Sequence, residues 1–459
     1  MSSQSSRVKD PSPAAAPLFT RHALIVLLLP LIAEQALNVT IGLADTLMVS
    51  SIGEAAVSGV SLVDSFNTLM IQILSALATG GAVVTSQYIG RREGKNAQAA
   101  AAQILFIMLT FSCTIALIVA GGRTFLLRAI FGSIDADVMN YARTYFLLSA
   151  LSYPFMGMYS AGAALFRAQG NSKISMFSSL VMNIVNIGGN AILIFGFGMG
   201  VMGAALASLV SRAIACFAVL FLLQHPDSTL RLEHLADLKP NGALIRRILD
   251  VGIPNSVENS MFQIGKLAVS SLVSTMGTSA IAANAVASTL TTFLNIPANA
   301  VGMATLTVVG QCIGAGEKKQ ARHYSSRLLL VAYVGAWVMN LSALLFLNRA
   351  AVSLYHLSAE SQAIALEVMV WFNIISLFVW PSSFTLPNIL RAAGDSRYTM
   401  QASILSMWLF RVGFCYVAVK CFNGHLLSIW MGMFLDWGFR SLLFGLRYFS
   451  GKWMDKKVI

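Results

Sequence analysis

Nine ionisable side chains sit inside long apolar runs of this chain. Five are acids (Glu34, Asp45, Asp64, Glu258, Asp436) and four are bases (Arg212, Lys266, Arg411, Arg440). A charge in hydrocarbon is costly, so each must face protein or water, and each is a functional candidate. Three acids and one base fall in the first half, two acids and three bases in the second. The acidic surplus makes the first half the better seat for a proton or cation. Glu34 and Asp45 are eleven residues apart, about 20° off register and roughly 16 Å apart along a helix axis. Asn38 shares their face. Asn183, Asn186 and Asn190 are spaced three and four apart, so a second helix presents a stripe of amides. An amide in hydrocarbon needs a partner, and a carboxylate on the next helix supplies one. The expected site is the Asp45 carboxyl in a half-dry pocket of amides, where its protonation follows its access to water. The same stripe could instead be interhelical glue, and that use stays open, most of all for Asn183.

Asp64 either lines a cavity or lies near outer water. Glu258 and Gln263, with Glu34, Asn38 and Asp64, are candidate cavity residues. Asp436 and Arg440 are spaced i,i+4 and read as an ion pair. Arg411 joins them or Glu258, and Lys266, about two turns from Glu258, neutralises a carboxylate. These four form an expected structural charge network. If the bases faced the cavity instead, an anionic substrate would follow.

The elements that must position these residues are membrane spans. Hydrophobic residues make up 56% of the 459 and charged residues 11%, against about 25% charged in a soluble average. A span needs about 20 apolar residues. Apolar runs near 23–50, 56–88, 97–121, 138–166, 174–196, 201–224, 247–275, 280–313, 324–347, 362–390, 398–420 and 426–447 give twelve. That leaves no room for a large soluble domain, and no GxxxxGK[ST] motif supports a nucleotide-driven pump. The first run is too long for a signal peptide. With the N-terminus inside, 22 of the 31 Lys and Arg fall in inside loops and tails, from Arg7 and Lys9 to Lys457, and four fall outside: Arg123, Arg128, Arg349 and Lys420. That asymmetry puts both termini in the cytoplasm. It also explains the net charge of +12 without nucleic acid. The five cysteines and six histidines, among them His234 and His356, show no ligand spacing, so neither a metal nor a cofactor nor an enzymatic centre is expected.

A repeat runs through the chain at an offset of 224 residues. Pro30 and Glu34 meet Pro254 and Glu258. Gln87 and Gly90 meet Gln311 and Gly314. Arg167 and Gly170 meet Arg391 and Gly394. Each unit holds six spans, so the two have the same topology. The expected fold is all-α: twelve transmembrane helices in two six-helix lobes related by a parallel pseudo-two-fold axis, with a cavity between them. The segments are an N-terminal tail (1–21), an N-lobe (22–224), a polar linker (225–246), a C-lobe (247–450) and a C-terminal tail (451–459). Paired lobes imply alternating access, and a monomer suffices for it.

Gly42-Leu-Ala-Asp45-Thr46, Gln87-Tyr-Ile-Gly90, Gln311-Cys-Ile-Gly314, Arg167-Ala-Gln-Gly170, Arg391-Ala-Ala-Gly394-Asp395 and the stretch from Gly252 through Glu258 to Gln263 occur in order along this duplicated chain. The set resembles the MATE family, the multidrug and toxic compound extrusion transporters, over residues 20–450. The resemblance implies a secondary antiporter of the plasma membrane, in bacteria the inner membrane, that exports cationic or amphipathic small molecules in exchange for protons or sodium. Asp45 matches the family's span-1 aspartate, and Asn186 and Asn190 match a span-5 polar pair whose second member is often an aspartate. With Glu34 they are the expected ion-coupling set, and protons are favoured over sodium. The alternative is a related flippase for lipid-linked saccharides, which would need a basic, phosphate-binding cavity.

Overall fold

The computed structural model describes residues 17–132, 135–225, 228–231, 239–355, 357–422, 424–456 and 458–459. Arg7, Lys9, His234, His356, Lys457, most of the N-terminal tail and the middle of the linker lie outside the described residues.

Each half opens on a capped helix. Thr20 caps α1 (Arg21–Ser50) by accepting from the Ala23 amide, and Asn241 caps α7 (Gly242–Val273) by accepting from Ala243 and Leu244. These side chains satisfy amides that lack an intrahelical partner. Helix α7 therefore starts inside the segment read as linker. The first half continues with α2 (Glu54–Gly90), α3 (Gly94–Phe131), α4 (Ala136–Ala168), α5 (Ser172–Asn190, extended by a π-helical turn over Ala191–Gly196) and α6 (Gly200–Leu223). The second half continues with α8 (Thr278–Leu294), α9 (Ile296–Gly314), α10 (Lys318–Ser342), α11 (Asn348–Ser353), α12 (Ala359–Ala392), α13 (Ser396–Ser406), α14 (Cys415–Phe422) and α15 (Leu426–Phe449). Among the described residues, nine spans are long and apolar enough to cross a membrane on length and composition alone. Helices α4, α7 and α15, which carry more polar residues, complete the twelve.

Two further details differ from the sequence expectation. The eighth span is broken at Asn295, where Pro297 opens α9, because a proline ring fits a helix start but not its interior. Arg123 and Arg128, expected in an outer loop, belong to the last turns of α3.

The outer faces carry side chains such as Leu117, Phe221 and Phe346, each more than 60% exposed, the apolar surface that lipid covers. The two halves meet at the end of the bundle that carries the basic turns and the C-terminus. There α2 crosses α9. A methyl group on Gly90 would stand 2.0 Å from the Gln311 carbonyl oxygen, and one on Gly314 would stand 2.0 Å from that of Gln87. Only glycine permits so close a crossing. The Gln87 amide donates to the Ala392 carbonyl at 2.8 Å, and the Gln311 amide donates to the Ala168 carbonyl at 2.8 Å. The repeat motif is thus a reciprocal clasp that seals one end of the cavity.

Candidate functional site

A cavity of about 710 Å³ lies between the halves. Its first-half wall includes Glu34, Asn38, Asp45, Asp64, Asn186 and Arg212. Asp45, on α1, accepts a 2.6 Å hydrogen bond at Oδ1 from the Asn190 amide on α5. The same amide reaches Asn186 Oδ1 at 3.4 Å, and Asn186 donates to Ser208 on α6 at 3.1 Å. The relay links three helices from one carboxylate. Among the described residues Asn190 Oδ1 is buried without a hydrogen-bond partner.

Asp64 lies in the same wall. Asn67 donates to it at 3.2 Å, and Tyr153 fixes Asn67 by donating to its Oδ1 at 2.7 Å. Arg212, steadied by donating to Ser152 at 2.6 Å, acts on both Asp45 and Asp64 as an opposite charge, although neither pair is a contact within 4 Å. Asn38 accepts from Ser179 at 3.3 Å, while Asn183 turns back to its own helix at Ser179 O.

Glu34 is held apart from this group. It is buried, pairs with Arg167 at 3.0 Å and accepts from Ser175 at 2.6 Å, so its charge is compensated near the sealed end. Glu258, its counterpart, is buried against Arg391 at 2.6 Å and Arg440 at 3.8 Å, with Ser403 donating to it at 2.6 Å. It lines neither large cavity, contrary to expectation, because two guanidinium groups already surround it. The expected Asp436–Arg440 pair is also replaced. Asp436 meets Arg411 at 3.8 Å and accepts from Ser406 at 2.6 Å, while Arg440 goes to Glu258.

Lys266 is the clearest correction to the expected charge network. Eight residues beyond Glu258, it points about 80° around the helix from it, and among the described residues it makes no ion pair. It lines a second cavity of about 600 Å³ with Gln263 and Arg411. Gln72 and Asn259 line both cavities, so the two adjoin.

The MatE family model matches residues 30–192 and again residues 254–417. The chain belongs to the MatE family of transporters. The two matches start 224 residues apart, which is the offset of the internal repeat. This transporter is 26% identical over 441 residues to the "Uncharacterized transporter YisQ" of Bacillus subtilis, covering 93% of this chain and 94% of that protein. It is 26% identical over 448 residues to the "Probable multidrug resistance protein NorM" of Thermotoga maritima, covering 96% and 94%. A structure described as the outward-facing conformation of a multidrug resistance MATE family transporter shares its fold, with a TM-score of 0.85 at 21% identity over 94% of this chain and 96% of that one.

In this MATE transporter, sequence reasoning missed Arg167 and Arg391. Both were assigned to inside loops by the general rule for basic residues. The structure folds them into the ends of α4 and α12, where they neutralise Glu34 and Glu258. The signal was available: each half pairs one span carboxylate with one arginine at the same offset.

Proposed function

We propose that this transporter exports cationic or amphipathic small molecules in exchange for protons, with Asp45 as the carboxylate that binds and releases the coupling ion. One observation carries the reading. Of the acids that line the central cavity, Asp45 is the one held by a span-5 amide, Asp64 is held by Asn67 on its own helix, and Glu34, like Glu258 outside the cavity, is neutralised by arginine. An amide N–H aimed at the carboxylate suits a group that gains and loses a proton, while a cation asks for oxygen ligands. The basic residues at the sealed end support a cytoplasmic position for that end and for both termini. The cavity then faces outside, where a proton reaching Asp45 cancels its charge, loosens its hold on Asn190 and weakens the seat of a cationic cargo. The multidrug resistance names of relatives such as the Thermotoga maritima protein support the cargo class. The location that follows is the plasma membrane.

The test is flux of a fluorescent cation into or out of proteoliposomes under a pH gradient or a sodium gradient, each imposed alone. Movement under the pH gradient only is the expected result. Movement under the sodium gradient only would overturn the assignment of the ion.

A further inference from the structure

The first cavity is lined by acids and bases in equal number, whereas the second is lined by two cations and no carboxylate. Lys266 on α7 and Arg411, in the π-helical turn Met407–Phe414 that follows α13, both line it. Arg411 acts on Lys266 as a like charge. Lys266 is more than a third exposed, and that exposure includes the cavity it lines. Two cations that share a cavity repel each other, and an anion between them removes the repulsion.

Among the described residues Lys266 makes no ion pair, and the only carboxylate that Arg411 meets is Asp436, at 3.8 Å. A carboxylate in the cavity would supply both cations with a close partner. One part of the wall is aromatic: Trp380 and Phe384 stack at 4.6 Å, and Phe384 meets Trp437 edge-on at 5.9 Å; polar side chains such as Asn259, Asn284 and Ser288 line another part. Aromatic walls hold flat apolar rings. A π-helical turn inside a span often marks a functional position, and here it carries Arg411.

We propose that this cavity is a subsite for an aromatic carboxylate, with the carboxylate between Lys266 and Arg411 and the ring on the Trp380–Phe384 wall. The subsite names a cargo class for the export proposed above and rests on that reading. It makes the amphipathic cargo one that carries an anionic, ring-bearing end.

The test is calorimetric titration of the purified full-length protein with 2-naphthoate, with 2-naphthyltrimethylammonium and with inorganic diphosphate. The expected result is saturable naphthoate binding that weakens about tenfold or more in Lys266→Gln, a loss in the range of a charge-assisted hydrogen bond. Lys266→Arg should restore it. Trp380→Leu, which removes a ring from the wall, should weaken it several-fold. Binding of the ammonium probe should not weaken in Lys266→Gln. Naphthoate binding that ignores both Lys266→Gln and Trp380→Leu would overturn the proposal. So would diphosphate binding that depends on Lys266 while naphthoate does not bind. The titration needs no ion gradient, so its outcome is separate from coupled export. Naphthoate bound as described without gradient-driven flux of any probe would sink the export reading and leave the subsite. Gradient-driven cation flux with naphthoate binding indifferent to Lys266 would do the reverse.

Discussion

The two halves of this transporter share a frame and differ in what they do with it. At the common offset, Asp45 in the first half meets Val269 in the second, and Asn186 and Asn190 meet Phe410 and Phe414. In the other direction, Lys266 meets Gly42 and Arg411 meets Ile187. The carboxylate–amide relay of the first half is thus replaced by apolar residues in the second, and the cations of the second are absent from the first. What the halves retain is the frame at the sealed end: the glutamate–arginine pair, the glutamine clasp and the glycine crossing. Packing that holds two lobes together constrains both copies equally. The walls of the cavity are free to diverge, because water and cargo tolerate many side chains.

That contrast can be broken most decisively at Asp45. Asp45→Asn keeps the hydrogen-bonding shape but cannot ionise, and gradient-driven flux should fall to that of protein-free liposomes while the protein inserts and purifies normally. Substituting Val269 by Ala, its positional counterpart, should leave most of the flux, measured in the same assay. Normal driven export by Asp45→Asn would end the assignment of the coupling residue.

The next largest effect separates the paired glutamates. Glu258→Gln leaves Arg391 and Arg440 buried without their carboxylate, a change of about 3–5 kcal/mol for a broken buried pair. Glu34→Gln strands one arginine, Arg167, which still has Ser175 to donate to, so its melting temperature should drop less. Thermal unfolding of the two variants side by side measures the difference, and equal drops would mean that Arg440 adds nothing at Glu258.

The glycine crossing should respond alike in both halves. Gly90→Ala and Gly314→Ala each force a methyl group against a backbone carbonyl, an overpacking of about 1–3 kcal/mol. Both should open the sealed end. Cys312, fully buried on α9 beside the crossing, should then label faster with a thiol reagent. Unequal labelling would show that the clasp is not reciprocal.

The smallest effect lies in the turn after each crossing. Arg92 adopts φ 60°, a left-handed backbone, where the second half has Gly316 at φ 77°. A side chain there costs about 1–2 kcal/mol, so Arg92→Gly should raise the melting temperature slightly.

Much of the frame was legible without coordinates. The apolar fraction required a membrane, and matching residues 224 apart revealed two like-oriented units. These are properties of solvent and of period, and they act on each segment separately. The Asp45–Asn190 contact was also within reach, since both stripes were visible and a buried amide needs a partner. The fate of the other charges was not. Glu34 and Glu258 find arginines more than a hundred residues away, Asp436 passes over Arg440 for Arg411, and Lys266 turns away from Glu258 into a cavity. Sequence spacing states which residues share a helix face. Which faces meet, and which open onto water, depends on how twelve helices pack around one another, and only the tertiary structure decides it.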